Sequence, residues 1–218
     1  MVHVAEEPCE GKGEEGMSNI FSEGVEAAVP DNVLYPSEVT VLGVGNVILQ
    51  DEGFGVRVVE YLDSRYEFPE DVQLVDGGTL GIELTQYVTG TKKLLIIDSI
   101  NGGAAPGTRF RFENDAVMAH FQDKLSAHEV GVQDVLALLT VTGRKVPEVA
   151  VIGAQPYRVE AGVELTREMQ EILPEVAEEA LEILRAWGIR PKEKADVAEQ
   201  DLTIVAEEAV KEQVLTER

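Results

Sequence analysis

The chain carries short runs of consecutive apolar residues, and helical patterns separate them. Val39-Thr-Val-Leu-Gly-Val44 and Lys93-Leu-Leu-Ile-Ile-Asp98 are apolar on neighbouring positions rather than on alternate ones. A strand of that kind needs cover on both faces, the condition of a parallel sheet held between two helical layers. Val72–Val75, closed by Asp76-Gly77-Gly78, and Glu148–Gly153 read as further strands. Thr108–Phe112 reads as one more, and its short connection favours an antiparallel neighbour, because a parallel crossover needs a dozen residues or more.

Helices fill the intervals. Phe54, Val58, Val59 and Leu62 recur at helical spacing through about Tyr66, with Asp51 placed to cap the start. Gly81–Val88 predicts a short helix, and Ser126–Val141 a longer one. Leu165–Trp187 predicts a long helix, interrupted or kinked at Pro174 and ended by Gly188. Strands alternating with helices give a single α/β domain. Its twisted, mostly parallel five-stranded sheet carries helices on both faces. Residues 39–188 form that domain. Residues 1–38 read as an acidic, flexible extension with room for a short helix at Met17–Ala28. Residues 189–218 read as a tail with a weak amphipathic stretch at Val197–Leu215.

Charge narrows the function. The 218 residues hold 41 acids against 18 bases, a net charge of −23. Nucleic acid and anionic membranes both call for lysine and arginine, so neither is an expected partner. About half of the excess lies in the two ends, with nine acids and one base in residues 1–38. One cysteine, Cys9, rules out an internal disulfide and suits a reducing cytoplasm. No apolar run is long enough to span a bilayer, and the first residues lack the basic and apolar regions of a secretory signal. The expectation is a soluble cytoplasmic protein.

In an open α/β sheet, ligands bind outside the carboxyl ends of the strands. Asn46, Asp51 and Glu52 follow the first strand there, Asp76 follows the second, and Asp98 ends the third. Asp51 and Glu52 also have a plain explanation, since acids complement a helix start. Gly53 and Gly55 beside them imply a close backbone approach by a partner or a neighbouring loop. Asp98, at the end of an apolar strand, reads as a ligand or hydrogen-bond hub, with capping of the turn at Ser99–Gly102 as the plainer alternative. Ser126-Ala-His128-Glu129 is a capping box that puts His128 in a first helical turn, where the dipole disfavours imidazolium and leaves a ligand-competent ring. His3 lies in the extension, and His120 reads as a surface residue. Two carboxylates and a neutral imidazole suit a divalent metal such as nickel or zinc. Nothing resembles a serine-nucleophile elbow, and the lone cysteine is remote from these elements.

Gly43-Val-Gly45-Asn46 raises a different reading, a nucleotide-binding loop. Its third glycine is replaced by Ile48, and two anions stand at the helix start where phosphate would sit.

Taken in order, several segments resemble one family. They are Leu42-Gly-Val-Gly-Asn46, Asp51-Glu-Gly-Phe-Gly-Val-Arg57, Asp76-Gly-Gly-Thr79, Leu95-Ile-Ile-Asp98, Ser126-x-His128, Gly153-x-Gln155-Pro156 and Ala186-Trp187-Gly188. The set resembles the nickel–iron hydrogenase maturation endopeptidases, over about residues 39–188. The resemblance implies a phosphorylase/hydrolase-like α/β domain that removes a C-terminal extension from the hydrogenase large-subunit precursor after nickel insertion. It implies Glu52, Asp98 and His128 as the catalytic and metal-contacting residues. It implies Asp76, Gly77, Gly78 and Thr79 as a substrate-recognition segment. The nickel would be the one the precursor carries, and an enzyme that must enclose the precursor's tail is expected to be a monomer. Glu52 or Asp76 would serve as general base. The rival from another class is a nickel-dependent chaperone that binds the precursor without cutting it.

Overall fold

A computed structural model describes residues 37–114, 116–117, 135–140 and 142–195. Five strands form one sheet: β1 (Val39–Val44), β3 (Val72–Gly78), β4 (Lys93–Ser99), β5 (Arg109–Glu113) and β6 (Glu148–Ala154). Their order is β3-β1-β4-β6-β5. The first four are parallel, and β5 runs antiparallel on the β6 edge. β5 is thus antiparallel as its short loop predicts, but it pairs with the strand after it in sequence. Between the strands lie a 3-10 turn at Gln50–Gly53, α1 (Phe54–Arg65), a 3-10 turn at Ile82–Leu84 and α2 (Thr85–Val88). α3 (Arg167–Ala186) follows β6. A two-residue ribbon joins β2 (Tyr66–Glu67) to β7 (Lys192–Glu193).

The central strands β1 and β4 are buried on both sides, as their consecutive apolar residues require. Period-two alternation divides β4: Leu95 and Ile97 enter the core under α1 and α3, while Leu94 and Ile96 enter a second core on the opposite face. That second core is closed by Leu84, Val88, Val117, Val135, Leu136 and Leu139. The expected helix at Ser126–Val141 is described only at 135–140. Residues 1–36 and Val197–Leu215, with the short helices considered for them, lie outside the described residues.

Two expectations about helices change. α3 runs unbroken through Pro174. It starts at an N-cap the periodicity did not show: the Thr166 hydroxyl accepts a hydrogen bond from the Met169 amide. It ends as expected. Gly188, at φ +89°, sits just past the helix, with Gly188 N–H bonded to Arg185 C=O and Ile189 N–H to Leu184 C=O, a Schellman closure. At the other helix, Asp51 is not a cap. The residue preceding α1 is Gly53, and no side chain caps it.

Candidate functional site

Register places the acidic residues along one edge. Gly43 of β1 lies opposite Asp76 of β3 and Ile97 of β4, and Asp98 lies opposite Gly153 of β6. Asp76 and Asp98 therefore reach the carboxyl edge at nearly the same level, on the two strands that flank β1. Glu52 stands above them in the 3-10 turn. The backbone of that turn packs onto the β1 exit, so a side chain at Gly45 would overlap the Glu52 carbonyl. Gly45 also has φ +129°, which only glycine adopts readily.

The paired glycines have an internal cause. A Cβ on Gly53 would press on Val47, and one on Gly55 would overlap the carbonyl oxygens of Ile97 and Val44. α1 has to begin directly against the ends of β1 and β4, and only glycine allows that spacing. The close approach read from the sequence is made by the protein's own strands. The same contact accounts for Gly43, which faces the Gly55 carbonyl. Gly43 and Gly45 thus serve chain packing where a nucleotide loop would need open backbone N–H groups.

The neighbouring acids Asp51 and Glu52 differ in environment. Asp51 is fully buried and accepts four hydrogen bonds. Its Oδ2 takes the amides of Tyr157 at 3.1 Å and Arg158 at 2.9 Å, and the Thr166 hydroxyl at 2.9 Å. Its Oδ1 takes the Thr166 amide at 2.7 Å. Asp51 therefore ties the turn after β1 to the loop after β6. The backbone just before it is strained: Gln50 is a non-glycine residue at φ +51°. Glu52, by contrast, is only partly buried.

Asp98 is 3% exposed, at the end of β4. Its Oδ1 accepts the Ser99 amide at 2.7 Å, so it does brace the following turn as considered from sequence. By strand alternation it shares a face with Leu94 and Ile96, the face closed by Val117 and Val135. His128 falls between those two residues in sequence and lies outside the described residues, as does His120. Asp76 is exposed, and its Oδ1 accepts the Gly78 amide at 2.9 Å, shaping the Gly77-Gly78-Thr79 turn. Among the described residues, no three His, Cys, Asp or Glu side chains gather as a metal site. The structure brings Glu52 and Asp98 to one edge. A third ligand would come from outside the described residues.

Residues the sequence reading left without a role also build this edge. Gln155 is nearly buried; its side chain donates to Asn101 Oδ1 at 3.0 Å and accepts from the Ala104 amide at 3.2 Å. It fixes the loop after Asp98. The Gly153-x-Gln155-Pro156 segment was visible in the sequence, but its partner Asn101 is 54 residues away. Thr166 and Gln50 carried no local signal.

The fold and this edge define a class: an α/β domain, covered on both faces, with carboxylates set at the exits of its parallel strands. The family model for hydrogenase maturation proteases matches residues 56–183. The chain is 42% identical over 155 residues to the hydrogenase expression/formation protein HoxM of Cupriavidus necator, covering 70% of this chain and 77% of that protein. It is 38% identical over 152 residues to the hydrogenase 2 maturation protease of Escherichia coli, covering 69% and 93%. Among solved structures, the hydrogenase maturating endopeptidase HybD from E. coli superposes with a TM-score of 0.70 at 36% identity, covering 73% of this chain and 99% of that one. This chain belongs to the hydrogenase maturation protease family. Among the described residues, no helix is long and apolar enough to cross a membrane.

Proposed function

We propose that this protein is a cytoplasmic, monomeric endopeptidase that removes the C-terminal extension of a nickel–iron hydrogenase large-subunit precursor once nickel has been inserted. The observation that carries this reading is the placement of Glu52 and Asp98 at one sheet edge, in a chain of the maturation protease family. With His128 they supply two oxygen donors and one imidazole, a set that fits a borderline divalent cation. The cation belongs to the substrate: the three side chains hold the precursor through an open position on its nickel. Asp76-Gly77-Gly78-Thr79 reads the substrate chain beside that contact.

In this reading the two neighbouring acids have separate tasks, which their different burial supports. Asp51 spends both oxygens on backbone and hydroxyl donors, so it positions the turn. Glu52 is the one of the pair that can meet substrate. Holding the scissile peptide near a polarised water removes most of the entropic barrier to attack. Glu52 or Asp76 takes the proton as general base. An unmetallated precursor offers no anchor, which makes nickel insertion the signal for cleavage.

The test is cleavage of nickel-loaded and nickel-free precursor, followed by mass spectrometry of its C-terminus. Wild type should cut only the loaded form. Glu52→Gln and His128→Ala should lower the rate by at least about a hundredfold with folding unchanged. Full activity of His128→Ala would remove the histidine from the mechanism. Binding of the precursor without any cut would convert the reading to a chaperone.

A further inference from the structure

Seven large apolar side chains are exposed among the described residues, and six of them sit in the connections that leave the carboxyl edge of the sheet, Ile82 at the start of its 3-10 turn. Ile48 is 62% exposed in the loop after β1. Leu80 and Ile82 (38% and 53%) follow β3, and Tyr157, Val159 and Val163 (43%, 48% and 62%) follow β6. Single exposed apolar residues are ordinary; a concentration at one end of the molecule marks an interaction surface.

These loops are tied to one another. Gly45 N–H bonds to Gly78 C=O at 2.9 Å, joining the β1 and β3 exits. Gly162 N–H bonds to Ile48 C=O at 3.0 Å, and Gln50 N–H to Gly162 C=O at 2.9 Å, joining the β1 exit to the β6 loop. The Asp51 carboxylate locks the same junction from inside. The loops thus form a fixed collar around the exit where Glu52 stands. In a chain that is 27% charged, residues 43–50 and 77–82 hold no charged side chain, whereas the loop after β6 carries Arg158, Glu160 and Glu164 among its apolar residues. Depletion of charge at the centre of an exposed apolar surface is the compositional mark of a protein interface. Beside the collar, an open groove between α1 and α3 has a mixed lining, with Tyr61, Val163 and Leu173 beside Arg57, Glu60 and Glu164.

We infer that this collar, which includes Ile48 and Val159, docks an apolar surface of the precursor protein next to its scissile segment. The inference rests on the protease reading above and specifies what that substrate presents. The occupant follows from continuity: anything that brings a polypeptide to Glu52 and Asp98 has to lie across the collar. The net charge of −23 disfavours an anionic membrane as the occupant. A second copy of the chain would cover the edge itself.

The experiment compares the full chain with Ile48→Ser/Val159→Ser and with Leu138→Ser, the remaining exposed apolar residue. The readouts are kcat and KM for nickel-loaded precursor, precursor affinity by calorimetry, and mass in solution. The double variant should raise KM and Kd by about tenfold or more, keep kcat within about twofold, and melt at the wild-type temperature. Leu138→Ser should leave all of these unchanged. Cleavage with a KM indifferent to the double variant overturns the collar and leaves the protease reading standing. Collar-dependent binding without cleavage does the reverse. A wild-type dimer that the double variant dissociates makes the collar a self-interface and overturns the inference. A wild-type chain that neither binds nor cuts the precursor overturns both.

Discussion

Replacing Asp51 with alanine should unfold this protein far more readily than replacing Glu52, its neighbour. The Asp51 side chain has no solvent exposure, and its removal strands four donors: the amides of Tyr157, Arg158 and Thr166 and the Thr166 hydroxyl. A hydrogen bond to a charged acceptor contributes about 1.5–3 kcal/mol. The four are not additive, because the released loop can turn some donors toward water. Two at the low end give about 3 kcal/mol and all four give about 6 kcal/mol. For a chain of this size each kcal/mol moves Tm by about 2–4 °C, so the expected loss is of order 10 °C or more. Glu52→Ala at a partly exposed position should cost about 1 kcal/mol or less. Asp51→Asn should fall between wild type and alanine, since its amide nitrogen turns a donor toward donors. Thermal unfolding of the full chain followed by circular dichroism at neutral pH measures all three. A shift below about 3 °C for Asp51→Ala would refute the claim that this carboxylate holds the two loops together.

Other consequences follow from packing and burial. Gly55→Ala drives a methyl group into the carbonyls of Ile97 and Val44, both backbone atoms in the middle of the fold, and should destabilise by about 3 kcal/mol or more; the urea midpoint reads this. Tyr66 is held above its ordinary value of 10.0 by burial first, then by Glu193 and Glu178. The folded chain therefore keeps the phenol proton more tightly than the unfolded chain does. The stability linked to Tyr66 is complete below about pH 10 and is lost as pH rises through its elevated value. Tyr66→Phe should lose less Tm than wild type between about pH 9 and pH 11.

Much of the architecture was legible because burial on both faces leaves a plain imprint. Consecutive apolar residues in Val39–Val44 and Lys93–Asp98 admit few folds besides a covered parallel sheet. The same imprint located the carboxyl edge, since Asp76 and Asp98 are the first charges after buried runs. Gly188 stopped α3 for a local reason, a left-handed residue that closes the last turn. Gly53 and Gly55 announced a close approach, though not what approached. Pro174 does not interrupt α3: helix propensity is a weak local preference, and the apolar face from Met169 to Leu184 outweighs it.

The sequence by itself determined the class of fold, the edge where chemistry can occur and the family to which the ordered motifs point. These depend on local patterns: which residues shed water, which turn, and in what order. Tertiary structure alone decided which of two adjacent acids is structural. Asp51 and Glu52 have the same charge and neighbouring positions, and no local rule separates them. The difference comes from Thr166, 115 residues further on, whose amide and hydroxyl reach back across the sheet. A buried carboxylate is stable only where donors converge on it, and that convergence arises when distant segments pack.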